Sequence, residues 1–466
     1  MSKEPPVTTT DFSNLPLSPA MLANLVSLGY QTMTPIQAAS LPTVLANQDL
    51  IAQAKTGSGK TAVFGIGLLA KLNVPLFRVQ ALVLCPTREL ADQVGKEIRR
   101  LARFTHNIKL LTLCGGAPIG PQFGSLEHGA HIIVGTPGRI LKHLSKGSLQ
   151  LDNVTTLVLD EADRMLDMGF YDDIAAILAA TPGTRQTLLF SATYPDSIKQ
   201  LSAAFQKTPL QVSVEATHSD ADIKQLFFET TPAQRLTLLA EILAHYQPES
   251  SVIFCNTKLA CQEVADALTQ QGFHAQALHG DMEQKDRDRA LALFANKSCP
   301  ILVATDVAAR GLDIKDLQAV INYELAHDPE VHIHRIGRTG RAGKEGLALS
   351  LFTPSDARKV TLIEEYQHRP VTYGDVNDLH AKADTEIQAT METVCISGGR
   401  KDKIRPGDIL GALTGEAGID SQDVGKIDIF DNHAYVAITS AMAAKAVKRL
   451  ADGKIKGKKF KVRLLQ

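Results

Sequence analysis

Between about residue 45 and residue 350, short apolar runs alternate with longer stretches whose apolar positions recur at helical spacing. Strands buried on both faces read as near-continuous apolar runs, so this alternation predicts parallel sheets covered by helices on both sides. The expected strands are DLIAQA (49–54), ALVLCPT (81–87), KLLTLC (109–114), HIIVGTP (131–137), TLVLDE (156–161) and TLLFSAT (187–193). A second set follows: SVIFCNT (251–257), ILVATD (301–306), AVINYE (319–324) and LALSLFT (347–353). Polar, weakly periodic KTPLQVSVEATHSDADIKQ (207–225) separates the two sets, as an interdomain connection would.

The two sets resemble each other. LVLCPTRELADQV (82–94) aligns with VIFCNTKLACQEV (252–264), bringing Cys85 over Cys255, Thr87 over Thr257, Arg88 over Lys258 and Val94 over Val264. HIIVGTP and PILVATD repeat the correspondence, with Thr136 over Thr305. Matching polar residues at strand ends argue for a duplicated domain. After a polar stretch near 372–390 the order becomes strand (TVCIS), helix (PGDILGALTGEAG), strand (KIDIF), strand (YVAIT), helix (MAAKAVKRLAD), strand (FKVRLL). That βαββαβ order fits an RNA-recognition-motif-like α+β domain.

A length of 466 residues accommodates roughly three domains. Hydrophobic residues at 44% and charged residues at 21% are ordinary for a soluble globular protein. The start, MSKEPPVTTTDF, lacks a signal-peptide pattern, and no apolar run is long enough to span a bilayer, so a cytoplasmic protein without a membrane partner is expected. Six scattered cysteines form no CxxC pair, which favours buried free thiols over disulfides or a structural metal. The net charge of −1 hides an asymmetry: residues 391–466 carry 14 Lys and Arg against 9 Asp and Glu. A basic tail on an acidic body points to an anionic partner such as nucleic acid.

AKTGSGKT (54–61) lies between an expected strand and an expected helix. In that context backbone N–H groups wrap phosphates, Lys60 reaches the β- and γ-oxygens, and the Thr61 hydroxyl serves magnesium. Ala54 replaces the first glycine of the generic pattern; Lys55, Thr56, Gly57, Ser58 and Gly59 complete the loop. LVLDEADRM (157–165) ends a buried strand in adjacent carboxylates. An acidic helix N-terminus is the alternative reading, but beside a phosphate loop Asp160 suits Mg²⁺ held through water and Glu161 a base for the attacking water.

Taken together, these motifs resemble those of the DEAD-box ATP-dependent RNA helicases, over residues 11 to about 370. The resemblance implies two tandem RecA-like parallel-sheet domains using ATP and Mg²⁺. It implies adenine reading by Phe12 and by Gln37 in GYQTMTPIQ. RNA-backbone contacts would come from Pro86, Thr87 and Arg88, from Gly115 and Gly116, and from Thr136, Pro137, Gly138 and Arg139. In the second domain they would come from Thr257, Arg287 and Thr305. Ser191, Thr193, Gln284 and His334 would couple hydrolysis to strand separation, Gly311 and Asp313 would touch the nucleotide, and Arg338 and Arg341 would serve as arginine fingers.

The last domain resembles, more narrowly, the RNA-binding domain of the bacterial DbpA group, which is directed to 23S ribosomal RNA; RPGDILGALTGEAGI and GKIKGKKFKVRLLQ carry this. Ordinary domains of this fold stack bases on aromatics of the two central strands. Here those positions read Cys395, then His433 and Tyr435 with Ile438 last, so the basic groups Arg400, Lys401, Lys403, Arg405, Lys454, Lys456, Lys458 and Lys459 are the expected contacts.

The expected boundaries are 1–40 (adenine-reading segment), 41–210 (first RecA-like domain), 211–225 (linker), 226–372 (second), 373–390 (linker) and 391–466. The expected protein is a monomeric RNA-dependent ATPase acting on 23S RNA in precursor large ribosomal subunits. A general RNA clamp or chaperone, a helicase with another RNA target, and a DNA motor are the alternatives.

Overall fold

The computed structural model describes residues 10–54, 57–214, 223–309, 317–340, 346–380, 389–415 and 418–465. The first sheet contains β1 (Leu50–Gln53), β2 (Ala81–Leu84), β3 (Leu110–Leu113), β4 (Ile132–Gly135), β5 (Thr156–Leu159), β6 (Gln186–Ser191) and β7 (Leu210–Ser213). All pairs are parallel, in the order β3-β4-β2-β5-β6-β1-β7. Alternation along each strand splits the core into two layers. Val83, Val134 and Val158 pack on one face, while Leu82, Leu84, Ile133, Leu157 and Leu159 pack on the other.

The second sheet contains β8 (Ile223–Glu229), β9 (Ser251–Cys255), β10 (Ala275–Leu278), β11 (Ile301–Thr305), β12 (Ala319–Asn322) and β13 (Gly346–Phe352). Its order is β10-β11-β9-β12-β13-β8. This repeats the order of the first six strands of the first sheet, with β9 in the place of β2, β11 in the place of β4 and no counterpart of the edge strand β7. The duplication read from Thr87/Thr257 and Thr136/Thr305 is therefore a duplication of topology. The first sheet runs to Ser213, past the expected boundary at 210, and the second begins at Ile223, before 226.

The last sheet, β14 (Met391–Ile396), β15 (Val424–Ile429), β16 (Ala434–Thr439) and β17 (Val462–Leu465), is antiparallel in the order β15-β16-β14-β17. Helices Pro406–Thr414 and Ser440–Asp452 supply Ile409, Leu413, Ala446 and Leu450 to its core. Ile438 packs in this core as well, beside Val394 and Val436. The expectation that Ile438 occupies a base-stacking position is thus corrected: side chains alternate along β16, and Tyr435 and Ala437 take the opposite face. All six cysteines are buried free thiols.

Candidate functional site

Parallel sheets present their chemistry at the carboxyl ends of the strands, where the loops open toward helix N-termini. In the first sheet those ends sort by strand. β1, β5 and β6, which are neighbours, lead into the phosphate loop, Asp160–Glu161 and Ser191–Thr193. β3, β4 and β2, also neighbours, lead into Gly115–Gly116, Thr136–Arg139 and Pro86–Arg88. The expected nucleotide and RNA residues thus occupy adjoining halves of one edge.

The phosphate loop closes on helix Lys60–Lys71 through Gly59, whose φ of +95° is the left-handed conformation glycine tolerates. A Cβ there would collide with the Gln37 amide. Gln37 Nε2 donates to Gly59 O (3.3 Å), its Oε1 accepts from Thr34 N (2.9 Å), and Thr34 Oγ1 donates to Ser58 O (2.8 Å). The segment expected to read adenine therefore also clamps the loop. Phe12 is buried and meets Tyr30 edge-on at 6.2 Å. Lys60 Nζ donates to Ala54 O (2.8 Å), and Thr61 follows in the first helical turn. Lys55 and Thr56 lie outside the described residues.

Asp160 is 3% exposed. Burial pushes its carboxyl up to about 7, against the pull of Lys60 and with a further push from Glu161. Glu161 has φ +53°, ψ +54°, a left-handed geometry that costs a residue with a side chain on the order of 1 kcal/mol and concentrates at functional positions. Its Oε2 accepts from Arg164 Nη1 at 2.9 Å. Asp163 Oδ2 accepts from Ala192 N (3.1 Å), Thr193 N (2.9 Å) and Thr193 Oγ1 (3.0 Å). Asp163 and Arg164 were not among the expected site residues. Asp163 joins the two motifs, and its signal was the third carboxylate of LVLDEADRM. Ser191 lies buried at the end of β6.

On the other half of the edge, Thr87 Oγ1 accepts from Leu90 N (3.3 Å) and caps helix Arg88–Leu101. The Arg88 guanidinium occupies the space a side chain at Gly116 would need, and Gly116 has φ +72°. Arg139 donates to Gln122 Oε1 (2.9 Å) and Ala117 O (2.8 Å), while Thr136, Pro137 and Gly138 open its helix.

In the second domain, Thr257 Oγ1 accepts from Ala260 N (3.1 Å) with φ −121°, ψ 155°, close to the −128°, 159° of Thr87. Thr305 ends β11. Gln284 and Arg287 lie on helix Gln284–Ala295, donating to Asp288 Oδ1 (2.7 Å) and His279 O (3.4 Å). Helix Pro329–Ile336 carries His334, and Arg338 follows it; both line a small cavity with Phe254 and Asp306. Gly311, Asp313 and Arg341 lie outside the described residues.

The residue missed here is Arg335. Its Nε and Nη2 each donate to Asp306 at 2.7 Å, Nη1 donates to Asn322 Oδ1 (3.2 Å) and Glu324 O (2.7 Å), and Nη2 also donates to Asn256 Oδ1 (2.8 Å). A guanidinium spent in this way ties SVIFCNT, ATD and HRIGRTGR together. An arginine in an arginine-rich motif gives no sequence signal that it is the buried one.

His332, on the same helix, is fully buried, and neither ring nitrogen has a hydrogen-bond partner among the described residues. Burial, with Arg335 adding, pushes its pKa down to about 3. The native state therefore refuses a proton that the unfolded chain accepts near 6.5. Stability is complete above that value and falls as pH drops below it, by about 2 kcal/mol at pH 5. Replacing His332 with Leu should narrow the gap between unfolding midpoints measured at pH 7.5 and pH 5; an unchanged gap would discard this assignment.

In the last domain Arg400, Lys401, Lys403, Arg405, Lys454, Lys456, Lys458 and Lys459 are all exposed. Lys456 Nζ donates to Lys403 O (2.8 Å), so the two basic stretches meet at that point. Arg400 holds to Ile429 O through Nε (3.1 Å) and Nη2 (2.9 Å).

Comparison with known proteins agrees with this anatomy. The DEAD/DEAH box helicase family model matches residues 34–201, the helicase conserved C-terminal domain residues 234–343, and the DbpA RNA binding domain residues 393–464. The ATP-dependent RNA helicase DbpA of Escherichia coli K12 is 55% identical over 98% of this chain and 100% of its own length. Its Bacillus subtilis counterpart is 37% identical over 97% and 98%. Among solved structures, Saccharomyces cerevisiae Dbp5 bound to RNA and ADP BeF3 matches with a TM-score of 0.73 at 31% identity, covering 79% of this chain and 96% of that one. With both helicase halves and the DbpA RNA-binding domain matched in order, and relatives aligned end to end, this chain belongs to the DbpA group of the DEAD-box ATP-dependent RNA helicases, which hydrolyse ATP.

Proposed function

We propose that the chain is an RNA-stimulated ATPase that locally unwinds 23S ribosomal RNA in precursors of the large ribosomal subunit. The observation that carries this reading is the third domain: a DbpA RNA-binding module whose basic side chains, from Arg400 to Arg405 and from Lys454 to Lys459, reach solvent.

In this reading ATP binds at the loop 54–61, with Lys60 on the β- and γ-phosphates and Gln37 and Phe12 at adenine. Thr61 and Asp160 would hold Mg²⁺, which neutralises phosphate charge during transfer. The residues fit that ion: a buried carboxyl that burial has pushed up to about 7 favours a cation, and Ser58 Oγ in the adjoining loop is buried without a hydrogen-bond partner among the described residues. Glu161 orients the attacking water and takes its proton. Arg338 and Arg341 stabilise the charge that develops on the transferred group. Pro86–Arg88, Gly115–Gly116, Thr136–Arg139, Thr257, Arg287 and Thr305 hold the RNA backbone, which fixes position without reading sequence. Sequence choice then falls to the third domain.

The experiment is strand displacement on a duplex joined to a folded 23S RNA fragment, with ATP or GTP. ATP should support it and GTP should not, because polar groups matched to adenine are left unsatisfied by guanine. Gln37→Ala should weaken ATP binding doubly, removing the base contact and loosening the loop that Gln37 clamps. RNA binding without displacement would favour a clamp, and equal activity on unrelated structured RNAs would favour a different target.

A further inference from the structure

Gly115 and Gly116, at the end of β3, carry no side chain that could hold them in place, so a steady position must come from their neighbours. The structure supplies one on each side. Before the pair, Cys114 O accepts from Gln122 Nε2 (3.2 Å); after it, Ala117 O accepts from Arg139 Nη2 (2.8 Å). Arg139 Nη1 also donates to Gln122 Oε1 (2.9 Å), which closes a ring of contacts around the two glycines. Gln122 belongs to helix Gly120–Glu127, which has no buried residue, so packing holds it only weakly. His143 provides the anchor. It lies fully buried on helix Pro137–Ser145, one turn beyond Arg139, and its Nε2 is 2.9 Å from Gln122 Oε1. Its Nδ1 is 2.9 Å from Ser148 Oγ, and the Phe123 ring meets it edge-on at 5.2 Å.

The chemistry of these groups settles each donor. A guanidinium cannot accept, so the Gln122 atom that Arg139 faces is oxygen, and the His143 nitrogen on that same oxygen carries a proton. Burial and the charge of Arg139 both hold the His143 pKa below its usual value, which keeps the ring neutral with its single proton on Nε2. Nδ1 then accepts from the Ser148 hydroxyl. Of the two ways the glutamine amide can point, His143 leaves the one that offers Nε2 to Cys114 O.

We propose that Gln122, oriented by His143, is a positioning residue for RNA: it holds Gly115–Gly116 and Arg139, which come from the loops of two different strands, as one preformed surface for the RNA backbone. Without the amide, Arg139 keeps its bond to Ala117 O but loses the partner of its other terminal nitrogen, and Cys114 O is released. Each RNA strand would then have to order both loops as it binds, which weakens binding and leaves the chemistry on a bound strand intact. The inference rests on the proposed RNA contacts of these two loops and deepens that reading.

The test uses the full chain and poly(A). Three quantities are measured: the RNA concentration that half-saturates ATP turnover, the turnover at saturation, and the unfolding midpoint. Gln122→Met keeps the length of the side chain and removes its hydrogen bonds to Cys114, Arg139 and His143. It should raise the half-saturating concentration about tenfold, the scale of a hydrogen bond to a charged group, while turnover at saturation stays within about twofold. His143→Leu should do the same, and His143→Gln, whose amide can still donate toward Gln122, should recover most of the loss. Combined with Arg139→Ala, Gln122→Met should add less than its separate effect, because both act on one network. A half-saturating concentration unmoved in Gln122→Met would overturn the proposal, and a lower unfolding midpoint beside it would mark the glutamine as a structural residue only. His143→Gln as defective as His143→Leu would remove His143 from the arrangement. If Arg139→Ala itself leaves the half-saturating concentration unchanged, the RNA contact assigned to this loop has failed and the positioning role falls with it. If Arg139→Ala raises it and Gln122→Met does not, the contact stands and the positioning role alone is overturned.

Discussion

Glu161→Gln should bind ATP and RNA as the parent does and hydrolyse ATP about 10² to 10⁴ times more slowly, the usual contribution of a general base. The amide is nearly the size of the carboxylate and can still accept a hydrogen bond from Arg164, which now lies 2.9 Å from Glu161 Oε2. It cannot take the proton of the attacking water. The left-handed backbone at φ +53° is equally open to glutamine, so no change in fold confuses the comparison. Single-turnover hydrolysis and equilibrium nucleotide binding, measured on the same preparation, separate chemistry from affinity. Parental turnover would remove Glu161 from the mechanism.

Arg338→Ala should lower RNA-stimulated hydrolysis by about 10³-fold or more, the scale associated with an arginine finger. Arg338 follows the helix Pro329–Ile336 and shares its small cavity with Asp306, His334 and Arg335. The neighbouring arginine makes the necessary contrast. Removing Arg335 would strand the carboxylate of Asp306 and cost several kcal/mol of stability, so its loss of activity would accompany loss of fold. Arg338→Ala should instead leave the unfolding transition and nucleotide affinity in the absence of RNA near parental values while turnover collapses. Retained turnover within tenfold of the parent would contradict the assignment.

How legible these features were depended on where each residue stands in the fold. Central strands such as ALVL and TLVL are covered on both faces, which forces continuous apolar runs and makes them readable. β7 and β8 were missed because they lie at sheet edges, where LQVS and IKQLFFE keep exposed polar positions. β10, AQAL, was missed because it is short, at the other edge, and half alanine. The phosphate loop and the carboxylates at β5 were readable because their chemistry demands fixed residue types at fixed spacing. The roles of Asp163 and Arg335 were not, since each depends on partners distant in sequence: Thr193 for one, Asn256 and Asp306 for the other. Ile438 was assigned to the wrong face because one residue of register reverses every side chain in a strand. The burial of Tyr435 against Ala292 had no sequence signal at all, as it joins residues of two different domains.

The central claim is that the basic third domain chooses the RNA that activates an otherwise sequence-blind ATPase. It is tested most directly by the ratio of ATPase stimulation by 23S ribosomal RNA to stimulation by poly(A), measured for the intact chain and for residues 1–390 across several salt concentrations. The account predicts a high ratio in the intact chain and a ratio near one in the shortened chain. It also predicts that the log–log salt slope flattens by about 0.7 to 0.9 for every phosphate the protein no longer neutralises. A shortened chain that still prefers ribosomal RNA as strongly as the intact one would place the choice in the helicase core and contradict it.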